Sequence, residues 1–184
     1  MEAYSERKNA FEKTQFWTIE NGFLIKKQED KMDQIVELKN IKSIQLFYKP
    51  HRYRTYNYAC RIVTENGLKL EILSTSYESF GDFKNQAETY NPFIQNIVSQ
   101  TFKKNNRCKI FTGLTVKSFL IQYLLTFLIL WAVTSLLSAF GSGGQMFRLL
   151  VMAFYLYYII VGFKKNFPKE IYDGKIPEKV LPTL

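Results

Sequence analysis

The sequence predicts an α+β protein: an antiparallel β-domain with a C-terminal amphipathic helix, followed by a two-helix transmembrane hairpin. Three observations carry that expectation. Residues 119–140 hold no charged side chain, and residues 146–163 hold only Arg148. Two pairs, Asn21-Gly22 and Asn66-Gly67, stand between β-prone runs, as hairpin turns do. From Phe83 onward the apolar spacing changes to steps of four and three, the period of a helix.

Taken in order, residues 1–14 are polar and charged and are expected to form a loose or helical lead-in. Residues 16–19 and 23–26 are short β-prone runs joined by Asn21-Gly22, where both turn positions need positive φ. Residues 27–33 read as a polar loop, residues 34–38 as a strand and residues 39–42 as a short break. In the run 43–48, Ile44, Leu46 and Tyr48 alternate with Ser43, Gln45 and Phe47, and Pro50 ends or bends that strand. A longer strand over 56–64 sets Tyr58, Cys60 and Ile62 on one face, and residues 68–74 return antiparallel after Asn66-Gly67. Six strands on short turns make an antiparallel meander. Beyond it, Phe83, Ala87, Tyr90, Ile94, Ile97 and Thr101 mark a helical stripe that Asn91-Pro92 interrupts. A short helical turn near 82–90 and a firmer helix over about 92–104 follow from that interruption, with Asn105-Asn106 as the stop.

The soluble domain is thus placed at residues 15–104 and a linker at 105–118. The first membrane helix takes residues 119–140, a length of roughly 33 Å as a helix, enough for a hydrocarbon core of about 30 Å. Residues 141–145 form an external Gly-rich turn, residues 146–163 the second helix, and residues 164–184, with Pro168, Pro177 and Pro182, a cytoplasmic tail of little regular structure. Lys103, Lys104, Arg107, Lys109 and Lys117 precede the hairpin, and Lys164, Lys165, Lys169, Lys175 and Lys179 follow it, against Arg148 alone beside the turn. Such flanks stay in the cytoplasm, so both termini are expected inside. The polar start of the chain reads as no signal peptide.

Composition narrows the functional classes. The formal net charge is +9, divided between +5 in residues 1–110 and +4 in the remainder, which is no dense basic arm for nucleic acid. Cys60 and Cys108 lack a C-x-x-C partner and read as reduced thiols, and a chain whose sole histidine is His51 assembles no Cys/His zinc site. No Gly-x-Ser-x-Gly elbow or Gly-x-x-x-x-Gly-Lys loop occurs. Neither a catalytic residue nor a cofactor is therefore expected. The membrane arms hold no Asp, Glu, His or Lys, the groups that transport pathways use.

One stretch carries a binding pattern. Residues 38–64 contain Lys39, Lys42, Lys49, Arg52, Arg54 and Arg61 and no acid, and around residue 52 the cations interleave with tyrosines. Lys49, Arg52 and Arg54 are the expected contacts for an anionic lipid surface or a protein partner. The plainer reading of the same stretch is a solvated hairpin tip. Membrane lipids, a protein partner or a second copy of the chain are the partners expected, and nucleic acid is not.

Particular residues also carry a resemblance: Trp17, Ile41 with the run 44–50, Tyr53-Arg54, Arg61-Ile62, Gly67 with residues 70–74, residues 77–81 and residues 90–93. Together they resemble an uncharacterised family of small bacterial membrane proteins with an N-terminal pleckstrin-homology-like (PH-like) domain before two membrane helices. The resemblance spans roughly residues 14–163. It implies an architecture and a bacterial inner-membrane location, and no assigned reaction. The resulting expectation is a membrane-anchored binding or scaffold module. The first alternative is a subunit of an oligomeric transport or channel assembly, and the second an enzyme whose site no motif marks.

Overall fold

The computed structural model describes residues 3–49, 57–138, 145–172 and 174–183. It divides into two compact units, Met1–Gly113 with Lys169–Leu184, and Leu114–Pro168. The chain is α+β, with antiparallel pairing dominant in its sheets and a pair of long apolar helices.

The first unit begins with a four-stranded antiparallel sheet in chain order: β1 (Ala3–Glu6), β2 (Gln15–Glu20), β3 (Phe23–Gln28) and β4 (Lys31–Glu37). Asn21 and Gly22 turn β2 into β3 with φ of 51° and 86°, the left-handed region that an Asn-Gly pair adopts at little steric cost. Two features differ from the sequence reading. The lead-in contains β1, in register with β2 from Ala3 opposite Thr18 to Glu6 opposite Gln15. Residues 27–33 are not a loop, because Asp30 at φ 67° closes a tight turn and lets both flanking strands run on. Strand β4 is polar there because it is an exposed edge strand, and charge on an edge discourages further pairing.

A 3-10 turn at Leu38–Asn40 buries Leu38 and leads into β5 (Ile41–Tyr48), β6 (Tyr58–Thr64) and β7 (Lys69–Leu73). Ile44, Leu46, Cys60, Ile62, Leu70 and Ile72 face inward from these strands. A small hairpin follows, β8 (Thr75–Ser79) with β9 (Asp82–Asn85), where a helical turn was expected. A single helix, α1 (Ala87–Lys104), then runs through Pro92. Pro92 is exposed near the start of α1, so the proline costs one backbone hydrogen bond and buries no unsatisfied group of its own. Tyr90, Phe93, Ile94, Ile97 and Val98 of α1 join Trp17 and Leu24 of the first sheet and the inward residues of the second in one core. Burial of each large aliphatic side chain in that core stabilises the fold by roughly 1.5–3 kcal/mol.

The stretch expected to be a linker holds β10 (Lys109–Thr112), which pairs parallel with β5, Ile110 lying opposite Ile44. The stretch expected to be a loose tail holds β11 (Lys169–Ile171), antiparallel to β10, and a 3-10 turn at Glu178–Val180. The second sheet therefore has the order β11-β10-β5-β6-β7, and it is not a pure antiparallel meander. Ile110, Ile171 and Leu181 are buried in the core, which is why these short segments are ordered despite their polar neighbours.

The second unit is the helix pair α2 (Val116–Ser138) and α3 (Gln145–Asn166), where helices were expected over 119–140 and 146–163. Both are long and apolar enough to cross a membrane. Phe119, Tyr123, Phe163 and Phe167 form an aromatic cluster at the open end of the pair, with ring centroids 4.5–5.8 Å apart. The Leu114 N–H donates to the Asn166 carbonyl at 3.0 Å and closes that end. The glycines of the expected external turn, 141–144, lie outside the described residues.

Candidate functional site

Of the expected binding residues, Lys49 falls at the end of the second sheet where β5 stops. Lys49 follows β5 directly, while Arg52 and Arg54, with His51, lie outside the described residues. The Lys49 N–H donates to the Asn57 carbonyl at 2.8 Å, and Asn57 Nδ2 donates back to the Lys49 carbonyl at 3.0 Å. Asn57 is buried and its Oδ1 accepts from the Thr75 hydroxyl at 3.1 Å. Lys49 and Asn57, the last and first described residues on either side of 50–56, thus form one doubly bonded pair. The Tyr48 and Tyr58 rings lie beside it, 5.3 Å apart and tilted by 57°.

Beside this pair, one carboxylate gathers two cations. Glu71 Oε1 accepts from Lys49 Nζ at 2.6 Å, and Glu71 Oε2 accepts from Arg61 at 3.0 Å. The Arg61 guanidinium also lies 4.8 Å from the centre of the Phe47 ring, a cation–π distance. Lys8 Nζ donates to the Glu71 main-chain carbonyl at 2.7 Å. Strand register explains the grouping, because Arg61 is the direct partner of both Gln45 and Glu71. Burial pushes the Glu71 carboxyl up, but the hydrogen bonds from Lys49 and Arg61 outweigh it and hold the group below the usual carboxylate range. The side chains of Lys49 and Arg61 remain 48% and 39% exposed, open enough for an anion to compete with Glu71.

The same end of the sheet is where the chain leaves for the helix pair. The Gly113 N–H donates to the Leu46 carbonyl at 2.7 Å, and Gln45 Nε2 donates to the Gly113 carbonyl at 2.9 Å. Gly113 takes φ 77°, a conformation that favours glycine and that turns the chain out of β10. The return is adjacent, since Thr112 is paired with Lys169 and its hydroxyl donates to the Lys169 carbonyl at 3.3 Å.

A buried acid escaped the sequence reading. Glu6 is shielded completely, its Oε2 accepts from the Leu73 N–H at 2.6 Å, and its Oε1 lies 3.9 Å from Lys8 Nζ. Trp17 Nε1 lies close by, also buried, and favours the charged form of this carboxyl. Burial pushes this carboxyl up to about 7, against the pull of Lys8 and the Leu73 N–H. The alternation of Tyr4 and Glu6 between less buried neighbours was the available signal, hidden in a short polar run.

Cys60 and Cys108 are free and buried, and burial raises both thiols, Cys108 to about 11, so neither is a poised nucleophile. Among the described residues no three His, Cys, Asp or Glu side chains converge as metal ligands.

Comparison with protein-family models, curated proteins and solved structures finds no match. The resemblance to the PH-like membrane family therefore rests on the sequence residues that carry it.

Proposed function

We propose that this chain is an integral membrane protein whose helix pair holds a PH-like β-domain on the cytoplasmic face of a bacterial inner membrane, where the domain binds the anionic leaflet. The observation that carries the reading is positional. The strands through which the chain passes to and from α2 and α3 end beside Leu46, three residues before Lys49, at the same end of the sheet as both anchors of residues 50–56. On this reading Lys49, Arg52 and Arg54 are the cations that meet the headgroups, each cation near an anionic leaflet contributing on the order of 1 kcal/mol.

The pairing of β10 with β11 also supports a shared side for entry and exit, since neighbouring strands are only about 4.8 Å apart. The ten Lys and Arg residues flanking the hairpin support a cytoplasmic placement of that side. Strands first and then one amphipathic helix is the order expected of a PH-like domain, and β1–β9 followed by α1 is consistent with it. The pairing of β10 and β11 adds to that plan.

The test uses the full chain in nanodiscs, with a nitroxide at Thr55→Cys. Collisional access measured by power saturation is expected to fall in phosphatidylglycerol-containing discs relative to pure phosphatidylcholine. Changing Lys49, Arg52 and Arg54 together to Glu is expected to abolish the difference. Equal access in both lipids would remove the leaflet as the ligand and leave a protein partner. Labelling of Ser142→Cys in intact cells by an impermeant maleimide tests the orientation, and labelling from the cytoplasmic side alone would reverse it.

A further inference from the structure

Three hydroxyl side chains of α2 turn back onto their own helix. The Thr126 hydroxyl donates to the Gln122 carbonyl at 2.8 Å, Ser135 to the Trp131 carbonyl at 2.8 Å, and Thr134 to the same carbonyl at 3.0 Å. These hydroxyls are satisfied by their own helix. The Gln122 amide is not: it is exposed and makes no hydrogen bond among the described residues. It stands six residues into α2, about 9 Å from the start of the helix, and it carries two donors and one acceptor. In hydrocarbon such a group needs a partner, because no water is there to supply one.

The position of Gln122 on the helix limits what that partner is. Among the described residues of α2, Phe119, Leu130 and Thr134 are buried and mark the face packed within the helix pair. Gln122 lies to one side of that face, on a stripe with Leu125, Ile129 and Leu136, all of them exposed. Two copies of this chain enter the membrane in the same orientation, so a two-fold axis along the membrane normal sets their α2 helices parallel and brings like residues together. A carboxamide is its own complement, since the Nε2 of one copy donates to the Oε1 of the other.

We propose that α2 forms a homodimer interface along the Gln122–Leu125–Ile129 stripe, closed by reciprocal amide hydrogen bonds between the Gln122 side chains of two copies. This rests on the membrane-spanning reading above.

The test is made on the full chain in native membranes. Copper–phenanthroline oxidation is expected to give a disulfide-linked dimer for Gln122→Cys. Leu120→Cys and Leu124→Cys, on the opposite side of α2, are expected to stay at the wild-type background set by the buried Cys60 and Cys108. In nanodiscs, energy transfer between labelled copies is expected to show dimerisation weakened roughly three- to fifteenfold by Gln122→Leu and retained by Gln122→Asn. Cross-linking at Leu124→Cys equal to that at Gln122→Cys, or an unchanged dimer with Gln122→Leu, overturns the interface. Release of the wild-type protein by alkaline carbonate overturns instead the membrane reading beneath it.

Discussion

The main-chain N–H of Leu73 donates to Glu6 Oε2 at 2.6 Å, joining the first strand of one sheet to the last residue of β7 in the other. The acid at this junction has no solvent exposure, and its titration is a direct consequence. Its carboxyl is raised from an ordinary 4.5 to about 7, so the folded chain holds a proton that the unfolded chain has released. Its stabilising contribution is complete below pH 4.5, falls as pH rises, and is gone above about 7. At about 1.4 kcal/mol per unit, the loss is on the order of 3 kcal/mol. Glu71 acts in the opposite sense at lower pH, since its carboxyl is held below 4.5 and its contribution is lost as pH falls through that range. Thermal unfolding of Glu6→Gln is expected to show a flat profile between pH 5 and 8 where the wild type declines, with the variant the more stable at pH 8. A parallel decline in both proteins would exclude Glu6 as its origin.

The other half of the Leu73 peptide is held by the same strand. The Tyr4 hydroxyl donates to the Leu73 carbonyl at 2.5 Å and lies 2.8 Å from Gln86 Oε1. Tyr4→Phe leaves the Tyr4 ring in place against Phe93, 5.6 Å between centroids, and removes the donor alone. Stranding the Leu73 carbonyl is expected to cost about 1–3 kcal/mol by chemical denaturation. A change below about 0.5 kcal/mol would mean that another group satisfies that carbonyl.

Chain closure through β11 makes a third expectation. Ile171 and Leu181 are buried in the core, and Asn91 Nδ2 donates to the Pro182 carbonyl at 3.0 Å. Losing both apolar side chains removes roughly 3–6 kcal/mol, comparable with the whole stability of a small domain. Residues 1–113 alone are therefore expected to aggregate. The same residues joined by a short turn to 169–184, in place of the helix pair, are expected to be monomeric and to unfold cooperatively. Equal solubility and melting of the two proteins would mean that the C-terminal segment is dispensable.

What was legible in the sequence was local. Asn21-Gly22 and Asn66-Gly67 announce their hairpins because a turn is decided by its own residues, and the alternation of Ile44 and Leu46 gives their shared inward face. The uncharged run after Lys117 announces α2 for the same reason. What was missed is non-local. Strand β10 shows one inward apolar residue, Ile110, and its partner strand comes 57 residues later, so neither has a pattern of its own. Strand β1 pairs with β2, but its Tyr4 and Glu6 side chains are held by Leu73, far along the chain, and that contact is invisible in a short polar run. Among the site residues, Lys49 was visible as a cation. Its neutralisation by Glu71 depends on three-strand register, which sequence spacing does not contain.

That neutralisation sets the last expectation. Glu71 offsets the charge of Lys49 and Arg61 at distances of 2.6 and 3.0 Å, so the sheet end is less positive than its sequence. Both ion pairs are partly exposed, and such pairs contribute little to stability, roughly 0.2–1 kcal/mol. Glu71→Gln is therefore expected to leave the fold intact and to raise the local charge by one. With the Thr55→Cys nitroxide in anionic nanodiscs, the variant is expected to need more NaCl for release of the probe, because one added cation near the leaflet strengthens binding about fivefold. Pure phosphatidylcholine discs are expected to show no difference between the two proteins. A lower release midpoint for Glu71→Gln would show that Glu71 orients Lys49 and Arg61 for the anion instead of masking them. An unchanged midpoint would place the contact elsewhere on the domain.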